Sequence, residues 1–274
     1  MSPRVIVLLA FCLYSPLLIN GDEDGVPAWM KEVTRLPPGD NANLRPLKVA
    51  YTLGWNNRVN AGKIQISVQR SDDENENFIG SASGQSSGFA RVLFPYDFKA
   101  RSIIDETSLR PIIFQLSEVE RNRITSYDII FESERQVYTT TALDADEVSR
   151  TNRSGFDFDF GQDVLSSAFY LRSMPLEDGE EISMVVTPFN RPYLAVLKVM
   201  GRETRKIKGT SYATIRLDVR IGKINPDLSI KTYDKIKQTS LWVSNDEYRV
   251  PLELQSQISV GFISARLTEL EWID

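Results

Sequence analysis

The chain has 274 residues, a quarter of them charged, a formal net charge of −5, one cysteine and no histidine. Its mildly acidic balance, with both signs interspersed, lacks the basic stripe that nucleic acid requires and the polybasic segment that holds a protein electrostatically on a membrane. Zinc and copper sites built on imidazole are excluded outright, and those built on thiolate could draw only on Cys12.

Residues 1–21 read as a secretory signal. Arg4 precedes an apolar run from Val5 to Ile19, broken only by Ser15 and Pro16, and Asn20-Gly21 leads into an acidic stretch. The run is too short to span a bilayer comfortably, which takes about twenty apolar residues. Cleavage is expected near Gly21, although Ile19 is a poor residue three positions before the cut, which leaves an uncleaved anchor as the rival reading. Cys12 lies mid-run behind Phe11, not after a small residue at its end, so lipidation is not expected. Removing the leader takes the only thiol with it and leaves about 250 residues, enough for one large β domain or two small ones. No later apolar run is long enough to span. The expected location is the periplasm or the outside of the cell, with no transmembrane segment once the signal is gone.

A polar, Pro-containing lead follows over 22–44, and a single β domain is expected over 45–274. Leu47, Val49, Tyr51 and Leu53 alternate with polar residues, as do Ile64, Ile66 and Val68 beyond the Ala61-Gly62 turn. Two-residue periodicity marks a half-buried strand. The run 72–77 (DDENEN) reads as a solvated hairpin tip. Gly84 to Gly88 spells GQSSG, the outline of a nucleophile elbow, but that serine needs a histidine base and the chain has none. A short helix is predicted over Ser86 to Phe94. A seam between two domains would fall at Asp144 to Gly155, and the sequon at Asn152 matters only in a glycosylating cell.

In GFDFDFGQD, Asp157, Asp159 and Asp163 offer oxygen ligands, but Gly161 and Ala168 stand where a calcium loop needs an oxygen and a glutamate. Phe156, Phe158 and Phe160 alternating with aspartates read as a short strand instead. From Asp163 to Arg172 the three-to-four spacing of Val164, Leu165, Ala168, Phe169 and Leu171 predicts a helix capped by Asp163 and ended by Met174-Pro175. Alternation resumes over Ala213–Ile221 and Val250–Val260, the pattern of antiparallel sheet. About eleven or twelve strands are predicted, forming a strongly curved antiparallel sheet or partial β-barrel with one or two packing helices.

The second half carries a recognisable pattern. DVLSSAFYLRSMPLEDGEEI at Asp163 to Ile182, KVMGRETRKI at Lys198 to Ile207, LWVSNDEYRVPLEL at Leu241 to Leu254 and GFISARLTEL from Gly261 stand in fixed order. Together they resemble the exported bacterial family known as domain of unknown function 3108; the likeness covers about residues 45–272 and is weaker in the first half. It implies an antiparallel β fold in the envelope of Gram-negative-type bacteria, and no activity. The motif positions are Asp163, Tyr170, Arg172, Pro175, Glu203, Trp242, Asp246 and Pro251, and structural roles are expected for all of them. Arg172, at the helix end where a cation suits the dipole, is expected to pair with a carboxylate such as Glu203. Asp246 reads as a turn residue, Trp242 as an apolar filler with a polar edge, and Pro251 as the start of an edge strand.

For function, the expectation is a non-catalytic envelope protein without cofactor or metal. It would hold an apolar ligand, a lipid or an envelope protein partner against the concave face of its sheet. A carboxylate-dependent glycan hydrolase and a purely structural or interaction domain are the alternatives. An apolar cavity of several hundred cubic ångströms would favour a lipid-like ligand; two carboxylates about 5–10 Å apart in an open cleft would favour the hydrolase.

Overall fold

The computed structural model describes residues 27–39, 44–71, 77–143, 149–232 and 236–273. The leader and its cleavage point lie outside the described residues, as do 72–76 and 144–148. The first half is a run of eight strands: β1 (Leu47–Trp55), β2 (Val59–Arg70), β3 (Phe78–Ser86), β4 (Tyr96–Ile104), β5 (Pro111–Glu120), β6 (Arg123–Phe131), β7 (Arg135–Leu143) and β8 (Ser149–Asp157). The second half adds β9 (Gly161–Gln162), β10 (Glu181–Val186), β11 (Tyr193–Ile207), β12 (Thr210–Ile224), β13 (Ile230–Thr232), β14 (Ile236–Ser244), β15 (Pro251–Ile258) and β16 (Phe262–Trp272). Among the described residues there are three helices: α1 (Ala28–Glu32) ahead of the strands, and α2 (Gly88–Leu93) and α3 (Val164–Ser173) between them.

All sixteen strands join one sheet, in the order β8-β7-β6-β5-β4-β3-β2-β1-β16-β15-β14-β12-β11-β10-β9, with β13 beside β12. Every pairing is antiparallel except β9 with β10. The sheet curls on itself, so that Phe114, Tyr127 and Ile129 from one end share a core with Met184, Leu197 and Val219 from the other. The curl is closed by side chains: Thr187 Oγ1 donates to Gln136 Oε1 at 2.6 Å, and the Tyr127 and Phe189 rings meet edge-on at 5.4 Å. Strong curvature of an antiparallel sheet is what the alternation predicts. The strand number is larger than expected, because several strands carry little apolar periodicity.

β3 is one of these. Its inward positions Gly80, Ala82 and Gly84 are small because neighbours occupy the space: Leu165 Cδ1 stands 3.1 Å from a Cβ built on Gly80, and Phe98 Cε1 only 2.3 Å from one built on Gly84. The GQSSG segment is therefore sheet and turn. Gly84 seats the Phe98 ring, Ser86 is buried with its Oγ accepting from Tyr96 N at 3.0 Å, and Gly88 enters α2 at φ +56°. Gly84→Val should destabilise the fold by about 2–3 kcal/mol, because the ring must leave its seat in a packed interior. Urea denaturation measures this, and a loss below about 0.5 kcal/mol would show that the seat is not needed.

The lead is not wholly solvated. Trp29 and Val33 are buried in a second cluster with Phe158, Val185, Leu194, Val196 and Ile224, and Trp29 Nε1 donates to Leu228 O at 2.9 Å. β10 and β11 are thus covered on both faces, which accounts for the unbroken apolar run at Met184 to Val186. The FDFDF segment differs from the expected strand. β8 ends at Asp157, and residues 158–160 lead through a turn into β9. There Phe158 is buried and Asp159 pairs with Arg35 at 2.5 Å.

Candidate functional site

α3 decides what the interior can hold. The Asp163 carboxylate caps it, accepting from Leu165 N at 2.6 Å and Ser166 N at 3.0 Å, while Ser166 Oγ accepts from Asp163 N at 2.9 Å. This reciprocal capping box satisfies donors that would otherwise be orphaned at a buried helix start. The other carboxylate oxygen accepts from Ser102 Oγ on β4, so the same residue ties the helix to the sheet. Burial pushes the Asp163 carboxyl up to about 6, against the pull of these hydrogen bonds. Met174, with ψ 155°, takes the extended backbone that Pro175 imposes, and the helix stops.

Along the helix, Tyr170 is fully buried and its hydroxyl donates to Leu36 O at 2.7 Å, pinning the lead segment. Burial raises that phenol to about 12. Arg172 does not pair with Glu203. Its Nε donates to Tyr248 O at 2.8 Å and its guanidinium lies 5.4 Å from the Phe169 ring. Burial lowers it to about 10, with the nearby Tyr51 and Asp246 opposing. The helix end projects towards the β14–β15 turn, which leaves Glu203 to another partner.

Asp246 organises that turn, with Oδ1 accepting from Ser244 Oγ at 2.7 Å, Tyr248 N at 3.0 Å and Arg249 N at 3.1 Å. Pro251 does begin a strand, but an interior one, since β15 lies between β14 and β16. A register shift at Trp242/Val243 accommodates the missing N–H there. Glu203 accepts from Trp242 Nε1 at 2.6 Å; Arg205 lies 4.0 Å over the Trp242 ring, and its Nε donates to Glu253 at 2.9 Å. Motif positions from three separate segments therefore fall into two groups: Arg172, Asp246 and Pro251 around the turn, and Glu203 with Trp242 in a network that recruits Arg205 and Glu253. Asp163, Tyr170 and Pro175 serve the helix itself.

Between α3 and the inner face of the sheet lies an apolar cavity of about 130 Å³. Ala168 and Leu171 of the helix face Ile64, Met184, Ala195 and Leu241 across it. Three polar residues border it, of which Ser167 turns its hydroxyl to Val164 O at 3.1 Å. Tyr51 donates to Pro251 O at 2.9 Å, and burial raises its phenol well above the usual range. Glu253, 2% exposed, is held by Arg205. The space is smaller than the several hundred cubic ångströms expected for a whole lipid, because α3 itself fills the inside of the curled sheet. The three aspartates weighed as calcium ligands turn to different partners: Asp157 to Arg135 at 3.3 Å, Asp159 to Arg35, and Asp163 to its cap.

The model of the family described as "Protein of unknown function (DUF3108)" matches residues 50–268. The chain belongs to this family. Its fold is similar to that of a solved beta-barrel-like protein of domain of unknown function DUF1849 from Brucella abortus, at TM-score 0.55 and 10% identity over 84% of this chain and 99% of that chain. A weaker likeness, TM-score 0.29 at 9% identity over 83% of this chain and 89% of that one, is to the hypothetical lipoprotein YmcC from Escherichia coli (K12). The first likeness speaks to fold alone and the second carries no weight. No curated protein matches.

Sequence reasoning on this DUF3108 chain missed Arg205, Glu253 and Glu118. Glu118 is buried and accepts from the hydroxyls of Tyr96 at 2.8 Å and Tyr127 at 2.9 Å. Glu253 stands between Leu252 and Leu254, at a polar position where a solvated side chain looks the same, whereas Glu118 continues the inward phase of Phe114 and Leu116. The usable signal is an aromatic residue at the paired position: Trp242 lies directly opposite Glu253 in the register.

Proposed function

We propose that this DUF3108 protein is an exported, non-catalytic envelope protein that receives one short apolar segment in the cavity beneath α3, either the end of an acyl chain or a small hydrophobic group. The cavity carries the reading: a partly open apolar space walled by alanines and branched side chains, with its bordering polar groups already bonded. A dry space of about 150 Å³ takes a benzene-sized guest, so this volume suits a fragment and not a whole lipid. Glu253, the carboxylate at its wall, is engaged by Arg205, which supports binding over hydrolysis. The leader-like residues 1–21 support export.

Native mass spectrometry of protein purified from its own cells, followed by organic extraction, tests the reading. The expected result is a bound apolar mass, lost in Ala195→Phe, which fills the space. Laurate serves as the probe for the stripped protein: at a hundredfold excess over its Kd it should stabilise the fold by about 2.7 kcal/mol. An unadducted native mass together with no thermal shift from laurate would overturn the proposal.

A further inference from the structure

The outward face of the sheet gathers cations at one place. Thr52 on β1 stands directly opposite Lys63 on β2 and Arg266 on β16. Partners across an antiparallel ladder share a face, so the two cations flank the threonine from either side. Adjacent strands lie about 4.8 Å apart, which sets the two flanking backbones about 10 Å from each other. A third cation comes from the β11–β12 hairpin: Lys208 Nζ donates to Thr52 Oγ1 at 3.1 Å. The fold fixes its position. Ile207 is buried in the core, and Lys208 and Gly209, at φ +48° and +95°, form the turn between Ile207 and Thr210. A lysine at positive φ is unusual in such a turn, which favours Asn or Gly.

The acids around them are engaged elsewhere. β1 and β2 contain none, and Glu203, the one acid in 200–213, accepts from Trp242 Nε1. Glu253 lies opposite Arg266 but is held by Arg205 at 2.9 Å. Asp97, two strands beyond Lys63, takes both arms of Arg91. On β16, Glu269 and Glu271 face Ala50 and Lys48, further along the strands. Leu143, just before the acidic stretch 144–148, is five strands from Lys63, about 24 Å along the sheet and beyond the screening length. Neither Lys63 nor Arg266 has a hydrogen-bond or ion-pair partner among the described residues, and Arg266 Nε is buried with its donor unpaired. Partial burial, then the charges of Arg266 and Lys63, hold the Lys208 ammonium below the usual lysine range. Cations gathered without a counter-ion repel one another, so the empty site costs stability.

We infer that Lys63, Lys208 and Arg266 hold a phosphate group at Thr52, on the outer face of the sheet. A phosphate carries about 1.5 to 2 negative charges at neutral pH, which matches three unpaired cations better than one carboxylate does. Its oxygens accept from both ammoniums and the guanidinium. The Thr52 hydroxyl accepts from Lys208 and keeps its own hydrogen to donate. Lys63 also borders a shallow trough on the same face, where Gln65, Ser83, Gln85 and Ser117 offer further donors and acceptors. A sugar carrying the phosphate would lie there. The cavity beneath α3 is on the inner face, so this site and the apolar one stand or fall separately.

Titration of the full chain at low salt tests this, with inorganic phosphate and glucose 6-phosphate as probes and glucose as the control. Both phosphates should bind and glucose should not. Tighter binding of glucose 6-phosphate would place its sugar in the trough, whereas equal binding would make free phosphate the ligand. Lys208→Met and Arg266→Gln should each weaken binding about tenfold, the worth of one hydrogen bond to a charged group. Lys208→Met should not lower the melting temperature of the unliganded protein, because it relieves repulsion between cations. Ala195→Phe, which fills the cavity beneath α3, should leave phosphate binding intact. No binding of either phosphate, or undiminished binding in both cation variants, would overturn the inference. A lower melting temperature for unliganded Lys208→Met would overturn it too, by making Lys208 a structural tie.

Discussion

Arg205→Ala is expected to destabilise the fold by about 2–3 kcal/mol, with a larger loss at low salt. Truncation leaves the Glu253 carboxylate, 2% exposed, without its cation, and breaking one partner of a buried pair costs about 3–5 kcal/mol. The lower figure applies because the Arg205 side chain is itself 30% exposed, so water can reach the vacated space. Loss of the cation over the Trp242 ring adds about 0.5–1 kcal/mol within that total. Arg205→Met combined with Glu253→Leu should recover most of the loss, because the desolvation penalty goes with the charge. A double-mutant cycle by urea denaturation should then give a coupling near 2 kcal/mol. Additive losses would show that the two groups do not act as a pair.

At Asp163 the expected effect depends on pH, and its sign is set by a folded pKa raised from 3.8 to about 6. A raised pKa means that the native state holds the proton more tightly than the unfolded chain. The corresponding stabilisation is complete below about pH 4 and is lost as pH rises through 6, a swing of about 3 kcal/mol. Asp163→Asn keeps the cap acceptor and cannot ionise. It should match the wild type near pH 4 and exceed it at pH 8 by an amount approaching that swing. Asp163→Ala removes the acceptor for Leu165 N and Ser166 N and should lose about 2–4 kcal/mol at pH 4, a deficit that shrinks at pH 8 because only the wild type has lost the titration term. Comparing the variants at each pH cancels the opposite trend of Asp105 and Asp159, whose carboxyls are held low by Ser108 and Arg35 and therefore lose stability on acidification. A flat difference between wild type and Asp163→Asn from pH 4 to 8 would refute the account.

The helix at Asp163 was legible because its signals are local: a cap residue, a three-to-four apolar stripe and a terminating proline. The long alternating strands of the second half were legible for the same reason. β8 was not, because both its faces are exposed along Ser149 to Gly155 and no apolar period exists to read. β3 was hidden by the glycines that seat Phe98 and Leu165, whose reason lies on other elements. The partner of Arg172 was misread on chemistry alone. A carboxylate was expected, whereas the helix end brings the guanidinium to the Tyr248 carbonyl, and Glu203 is taken by Trp242. Trp29 looked like part of a polar lead because its burial depends on the outer faces of β10, β11 and β12.

The pairing of β1 with β16 has a kinetic consequence. Most neighbours in the sheet are also neighbours in sequence, joined by short turns, so each half can assemble through local hairpins. The ladder from Leu47↔Trp272 to Trp55↔Ile263 is the exception, bringing together segments more than two hundred residues apart. Closing so long a loop is slow relative to hairpin formation. Until β16 has emerged, β1 and β15 both carry bare edges and the core shared by the two halves cannot close. The fold therefore stays unfinished until the last of these sixteen strands can pair, however early the first eight have formed their hairpins.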